Sequence, residues 1–183
     1  GTNVDASDFR GKLEVTGRNG ASLEVATGAG RTSIASEAGG IAVNARQLQD
    51  NAALVLSGGA SFTVTGLAGN VDATDATGAV DITTVDNIED DEIAIVTGSG
   101  ATRVSGGGAN DTLSIAAGQL AESATLTLAG ASAVSIDAVK GDVDASALAG
   151  ALSVNVADAD DNNVSVVTGS ADASVFADGA DDI

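Results

Sequence analysis

The residues best placed to do chemistry are carboxylates set among glycines. Gly106-Gly107-Gly108-Ala109-Asn110-Asp111-Thr112-Leu113-Ser114 puts three glycines, an Asn and an Asp ahead of an apolar residue. The glycines permit a tight turn whose carbonyl oxygens point at one centre, and Asp111 adds a charged oxygen. Leu113, two places on, anchors the following segment in a core. Hard oxygens of this kind suit one divalent cation, and calcium takes six to eight of them. One turn supplies too few, so a second loop is required. Upstream lie Asp86, Glu89, Asp90, Asp91 and Glu92. The arrangement returns further on, where Asp158, Asp160 and Asp161 precede Asp178-Gly179-Ala180-Asp181-Asp182-Ile183. The interval from Asp91 to Asp111 is the same as that from Asp161 to Asp181.

Other chemistry has little to work with. The 183 residues contain no Cys and no His, which removes disulfides, thiol catalysis, Cys-ligated zinc and the usual general base. Paired carboxylates cleave glycosides in some enzymes. Here only Phe9, Phe62 and Phe176 offer an aromatic platform for a sugar, and Arg103 and Lys140 are the only bases in the acidic part. The expectation is a protein that is not an enzyme. Net charge is −19, with −1 over residues 1–69 and −18 over residues 70–183. Such a surface repels nucleic acid and anionic lipid and attracts cations. No stretch approaches the roughly 18 apolar residues of a membrane span, so no membrane insertion is expected. The sequence has no initiating Met and reads as a mature piece or fragment of a longer polypeptide.

The elements that must position these residues are short and repeated. Asn3-Val4-Asp5-Ala6-Ser7, Asn70-Val71-Asp72-Ala73-Thr74 and Asp142-Val143-Asp144-Ala145-Ser146 mark three units: 1–69, 70–141 and a partial third over 142–183. The flanks match as well, as in Leu54-Val55-Leu56 with Leu126-Thr127-Leu128. Long-period self-similarity signals units that stack to share a core. Apolar residues alternate at period two in short bursts, among them Leu23/Val25, Ile41/Val43, Leu113/Ile115 and Leu152/Val154, and Gly, Asn and Asp punctuate them. The pattern predicts an all-β chain, with single turns at 45–51 and 117–123. The carboxylates Asp5, Asp72 and Asp144 flank an inward Val and are expected to face solvent or cap a turn.

A parallel β-solenoid, a β-helix or β-roll forming one continuous array, fits best. Tight Gly-rich corners recur, few aromatics are available to fill a sandwich, and about seven strands per repeat give coils of roughly 20 residues. The alternative is tandem β-sandwich domains. A coil of that length brings each acidic loop beside its Gly-Asp turn. In the first unit Gly39 replaces Asp111 and Gly17-Arg18-Asn19-Gly20 replaces the acidic loop, so both halves of the site are lost together.

With Gly106–Ser114 in view, and phrases such as Asp144-Ala145-Ser146-Ala147-Leu148-Ala149-Gly150, the chain resembles the repeat regions of bacterial surface-layer proteins related to the repeats-in-toxin family. The family's calcium-binding nonapeptide is matched at every fixed position but Ala109. In the second copy Phe176 and Ala177 replace the leading glycines. The resemblance implies an acidic, secreted β-solenoid, exported by a type I route to the cell surface of a Gram-negative or similar bacterium. It implies assembly with calcium into a layer or filament whose partners are further copies of itself and cell-surface polysaccharide. An adhesin stalk or extracellular binding module that does not self-assemble is the alternative role.

Overall fold

The computed structural model describes residues 2–18, 20, 22–86, 92–157 and 163–177. Among these there is no helix, and eighteen short strands form two parallel sheets. One sheet runs β1 (Thr2–Asp5), β3 (Leu23–Ala26), β5 (Gly40–Asn44), β7 (Ser61–Leu67), β9 (Val80–Thr84), β11 (Thr102–Gly106), β13 (Thr125–Gly130), β15 (Asp142–Leu148) and β17 (Val166–Val167). The other runs β2 (Leu13–Thr16), β4 (Thr32–Ala35), β6 (Ala53–Gly58), β8 (Asn70–Ala76), β10 (Glu92–Val96), β12 (Thr112–Ala116), β14 (Ala133–Val139), β16 (Leu152–Val156) and β18 (Ala173–Ala177). Each coil gives one strand to each sheet. This is the expected β-solenoid, and the tandem-sandwich alternative is set aside.

Period-two alternation decides the inside. In β5 the order of exposure is out, in, out, in, out, with Ile41 and Val43 buried; β12 buries Leu113 and Ile115 in the same way. Register then stacks like on like. Leu23, Ile41, Phe62, Val80, Thr102, Leu126, Val143 and Val166 form one continuous inward column. A fully buried side chain of this size contributes about 1.5–3 kcal/mol, and the columns hold many. The sheets stand close because their inward residues are Val, Ile, Leu and Ala, with Phe62 the one buried aromatic among the described residues.

Seven strands make one repeat, and seven is odd. The phrase Asn-Val-Asp-Ala-Ser/Thr therefore falls on β1 in the first sheet, β8 in the second and β15 in the first again. Successive repeats present the same strand on opposite faces, three and a half coils further on. Two irregularities recur with that period. Val55 and Ser57 of β6 face Asp72 and Asp75, so β8 carries an extra residue, and β15 does the same against β13. Thr65 and Leu67 of β7 face the adjacent Thr83 and Thr84, and β14 bulges likewise against β16. The two expected single turns are pairs of tight turns. Leu48 N donates to Ala45 O and Ala52 N to Gln49 O, and Leu120 and Ala124 repeat the pattern with Ala117 and Ala121.

Candidate metal site

The corner from Gly106 to Asp111 joins β11 to β12, and its neighbours above and below fix its shape. Gly107 N donates to Thr84 Oγ1 at 2.8 Å. Ser132 Oγ donates to Gly108 O at 2.7 Å, and Ala133 N donates to Asp111 O at 3.1 Å. Gly107 and Gly108 are required by close approach. A Cβ on Gly107 would lie 2.6 Å from Val85 O, and one on Gly108 would lie 2.6 Å from Asp86 Oδ1 and 2.7 Å from Asp111 Oδ2. Both carboxylates therefore converge on the Cα face of Gly108, no more than about 5 Å apart, a spacing one oxygen-seeking cation can bridge.

Asp111 is 1% exposed, whereas Asp86 and Asn110 are exposed. A buried carboxylate is costly unless hydrogen-bonded or paired. Asp111 Oδ2 accepts the Gly108 N–H at 3.1 Å, closing the turn on itself. The side chain thus has a structural role in shaping the corner. Glu92 opens β10 and faces outward beside Thr112, its partner one coil further on. Glu89, Asp90, Asp91, Asp158, Asp160, Asp161, Asp178, Asp181 and Asp182 lie outside the described residues. Among the described residues no three acidic side chains converge. Asp86 and Asp111 supply the side-chain oxygens that converge at this corner among the described residues. They are hard oxygens and fit calcium by type.

The lost counterpart in the first repeat is legible in the fold. Gly39 precedes β5 as Asp111 precedes β12, and the segment holding Gly17, Arg18 and Gly20 joins β2 to β3 as residues 85–91 join β9 to β10. Strand parity puts these two connections on opposite edges of the solenoid, because β2 and β9 belong to different sheets.

The repeated Asp phrase does a different job. Asp5 Oδ1 accepts from Ser7 N at 3.1 Å and Ser7 Oγ at 2.8 Å; Asp72 Oδ1 accepts from Thr74 N at 3.2 Å and Thr74 Oγ1 at 2.7 Å. Asp144 Oδ1 accepts from Ser146 N at 3.0 Å. In β8 and β15 this is where the bulge leaves a backbone N–H off the ladder, and the carboxylate takes it. The Ser7 N–H, then its hydroxyl, hold the Asp5 carboxyl below the usual 3.8, and the Ser146 hydroxyl, then its N–H, do the same for Asp144. Sequence alone places these residues at turns and misses the bulge, for which the Asp-x-Ser/Thr spacing is the signal. Of the three aromatics, Phe62 is buried and offers no platform to a sugar, while Phe9 and Phe176 sit in the first and last described coils.

Fold and corner together define a two-sheeted parallel β-solenoid with an acidic, glycine-lined turn. No family model, curated protein or solved structure matches the chain.

Proposed function

We propose that this chain is an extracellular structural protein, a calcium-stabilised solenoid that self-assembles into a surface layer or filament. The observation that carries the reading is the acidic corner on a stacked fold: Asp86 and Asp111 converge beside Gly108, between coils of a two-sheeted parallel solenoid. Carboxylates brought this close favour a bound cation, and stacked coils of this kind are extended structural scaffolds. The charge supports a cation requirement, since −18 over residues 70–183 opposes close packing of copies without counter-ions.

Calcium enters at Asp86 and Asp111 in this reading, and the other acidic residues of the two loops add donors. Binding to the folded state alone stabilises it by about 2.7 kcal/mol at a hundredfold excess over Kd. Thermal melts and sedimentation velocity in chelator and in millimolar calcium test both halves. The reading expects a higher Tm and fast-sedimenting species in calcium. Identical melts remove the calcium role, and a single slow species in both buffers removes self-assembly in favour of a stalk.

A further inference from the structure

The corner after β11 has a counterpart after β4, because Thr32 pairs with Leu54 just as Thr102 pairs with Leu126. The two corners differ in length. From Thr102 to Leu113 the chain is two residues longer than from Thr32 to Ile41. The acidic connection one coil back, between Thr84 and Thr102, is three residues longer than that between Gly17 and Thr32. Both connections that meet at the candidate site are thus extended in the second repeat.

The way each corner is held differs too. In the first repeat the bond is internal: buried Ser36 Oγ donates to Ala38 O at 3.0 Å. Gly17 lies beside Ser36 on the coil before, where a Cβ would come 2.6 Å from that hydroxyl, and Ala60 lies on the coil after. In the second repeat the same three places hold Thr84, Gly106 and Ser132. The middle side chain is gone, and hydroxyls reach in from both flanking coils. Thr84 Oγ1 accepts the Gly107 N–H, and Ser132 Oγ donates to Gly108 O, the carbonyl corresponding to Ala38 O. Both side chains are buried. A serine at 106 would satisfy that carbonyl from within the coil, as Ser36 does. Moving the donors to the neighbouring coils leaves 106–108 without side chains, beside the point where Asp86 and Asp111 converge.

We propose that Thr84 and Ser132 are positioning residues of the cation site, which is therefore assembled from three successive coils. Their hydroxyls fix the Gly107 N–H and the Gly108 carbonyl, and so set the Gly108 N–H on Asp111 Oδ2 and turn the two carboxylates toward one calcium-like cation. This rests on the calcium reading above and adds what holds that site in shape. Side chains that orient metal ligands without touching the metal change its affinity by about 10–100-fold.

Thr84→Val and Ser132→Ala test this with residues the fold already accepts, since buried Val156 and Ala60 occupy the equivalent places in the third and first repeats. Calorimetric titration of the full chain with calcium alone reads affinity, and melts in chelator read stability separately. The binding step that Asp111→Asn weakens identifies the corner site. Each of the two variants should raise the Kd of that step by about 10–100-fold. Thr102→Val is the control: it deletes a buried hydroxyl of β11 whose bond runs to Gly100 O at 3.3 Å, and it should leave the Kd at the parent value. Lower stability in chelator with an unchanged Kd in both variants would make the hydroxyls merely structural and overturn the proposal, leaving the calcium reading standing. A raised Kd in one variant alone overturns the three-coil assembly. A parent chain that takes up no calcium, or whose uptake Asp111→Asn leaves intact, overturns the calcium reading at this corner and the proposal with it.

Discussion

Gly66 and Ala138 stand at the same place in successive repeats, and both hold a left-handed backbone, with φ of 64° and 56°. Each is the extra residue of a bulge, in β7 and in β14. The residue opposite has changed in compensation. Arg46 lies across Gly66, where a Cβ would come within 2.5 Å of its Cγ, while Gly118 occupies the Arg46 position beside Ala138 and leaves 3.7 Å. The bulge keeps its shape in both repeats, and the side chain has moved from one coil to its neighbour.

This pair gives the first prediction. A non-Gly residue in the left-handed region costs about 1–2 kcal/mol, so Ala138→Gly should raise stability by roughly 1 kcal/mol in urea denaturation. Gly66→Ala should lower it by at least that much, since strain and the Arg46 contact add. Adding Arg46→Gly should recover part of the loss. Strict additivity of the two changes would show that Arg46 and Gly66 do not interact.

Thr27 and Thr97 sit at equivalent positions ahead of Gly28 and Gly98, both buried, and neither hydroxyl finds a hydrogen-bond partner among the described residues. A buried unpaired hydroxyl costs about 1–3 kcal/mol. Thr97→Val keeps the shape and removes the polar atom, so it should be neutral or stabilise by about 1 kcal/mol. A clear drop in Tm would mean that the hydroxyl is engaged.

Asp111 separates turn formation from cation binding. Asp111→Asn retains an acceptor for the Gly108 N–H and removes the charge, so stability in chelator should fall little while the gain from calcium shrinks. Asp111→Ala removes both and should cost about 1–3 kcal/mol even in chelator. Asp91→Ala should narrow the calcium gap, and Asp5→Ala should leave it unchanged. If Asn and Ala lower stability equally in chelator, the Gly108 hydrogen bond is not what Asp111 contributes.

Acid should weaken the fold through the bulge caps. The Asp5 and Asp144 carboxyls bind a proton less tightly folded than unfolded. Their contribution is therefore present above the unfolded value near 3.8 and is lost as pH falls through the lower folded values. Carboxyl titration followed by NMR should place both below 3.8, and Ser146→Ala should move Asp144 upward. An unchanged Asp144 titration in that variant would show that Ser146 is not the cause.

Much of this architecture is legible in the sequence, and the gaps have a common origin. Bursts such as Leu23/Val25 and Leu126/Leu128 announce twelve strands because both inward residues are large and apolar. The six unannounced strands hide one inward position behind Thr or Ala, or carry a single Val. Thr32 in β4 and Thr102 in β11 are buried inward, and Val71 with Ala73 in β8, or Val143 with Ala145 in β15, leave too small an apolar signal. The repeat phrase is visible, but its alternation between sheets is not, because parity depends on the hidden strands. At the candidate site, the glycine turn and the coil-length spacing to the acidic loop can be read from residue order. The buried Asp111 carboxylate turned back onto Gly108 N cannot, since it depends on Thr84 and Ser132 from neighbouring coils fixing the corner.

The most direct test of the account is electron microscopy of the full chain in millimolar calcium and in chelator. Calcium-dependent self-assembly predicts filaments or layers in calcium and none in chelator. Monodisperse particles in both buffers would contradict it.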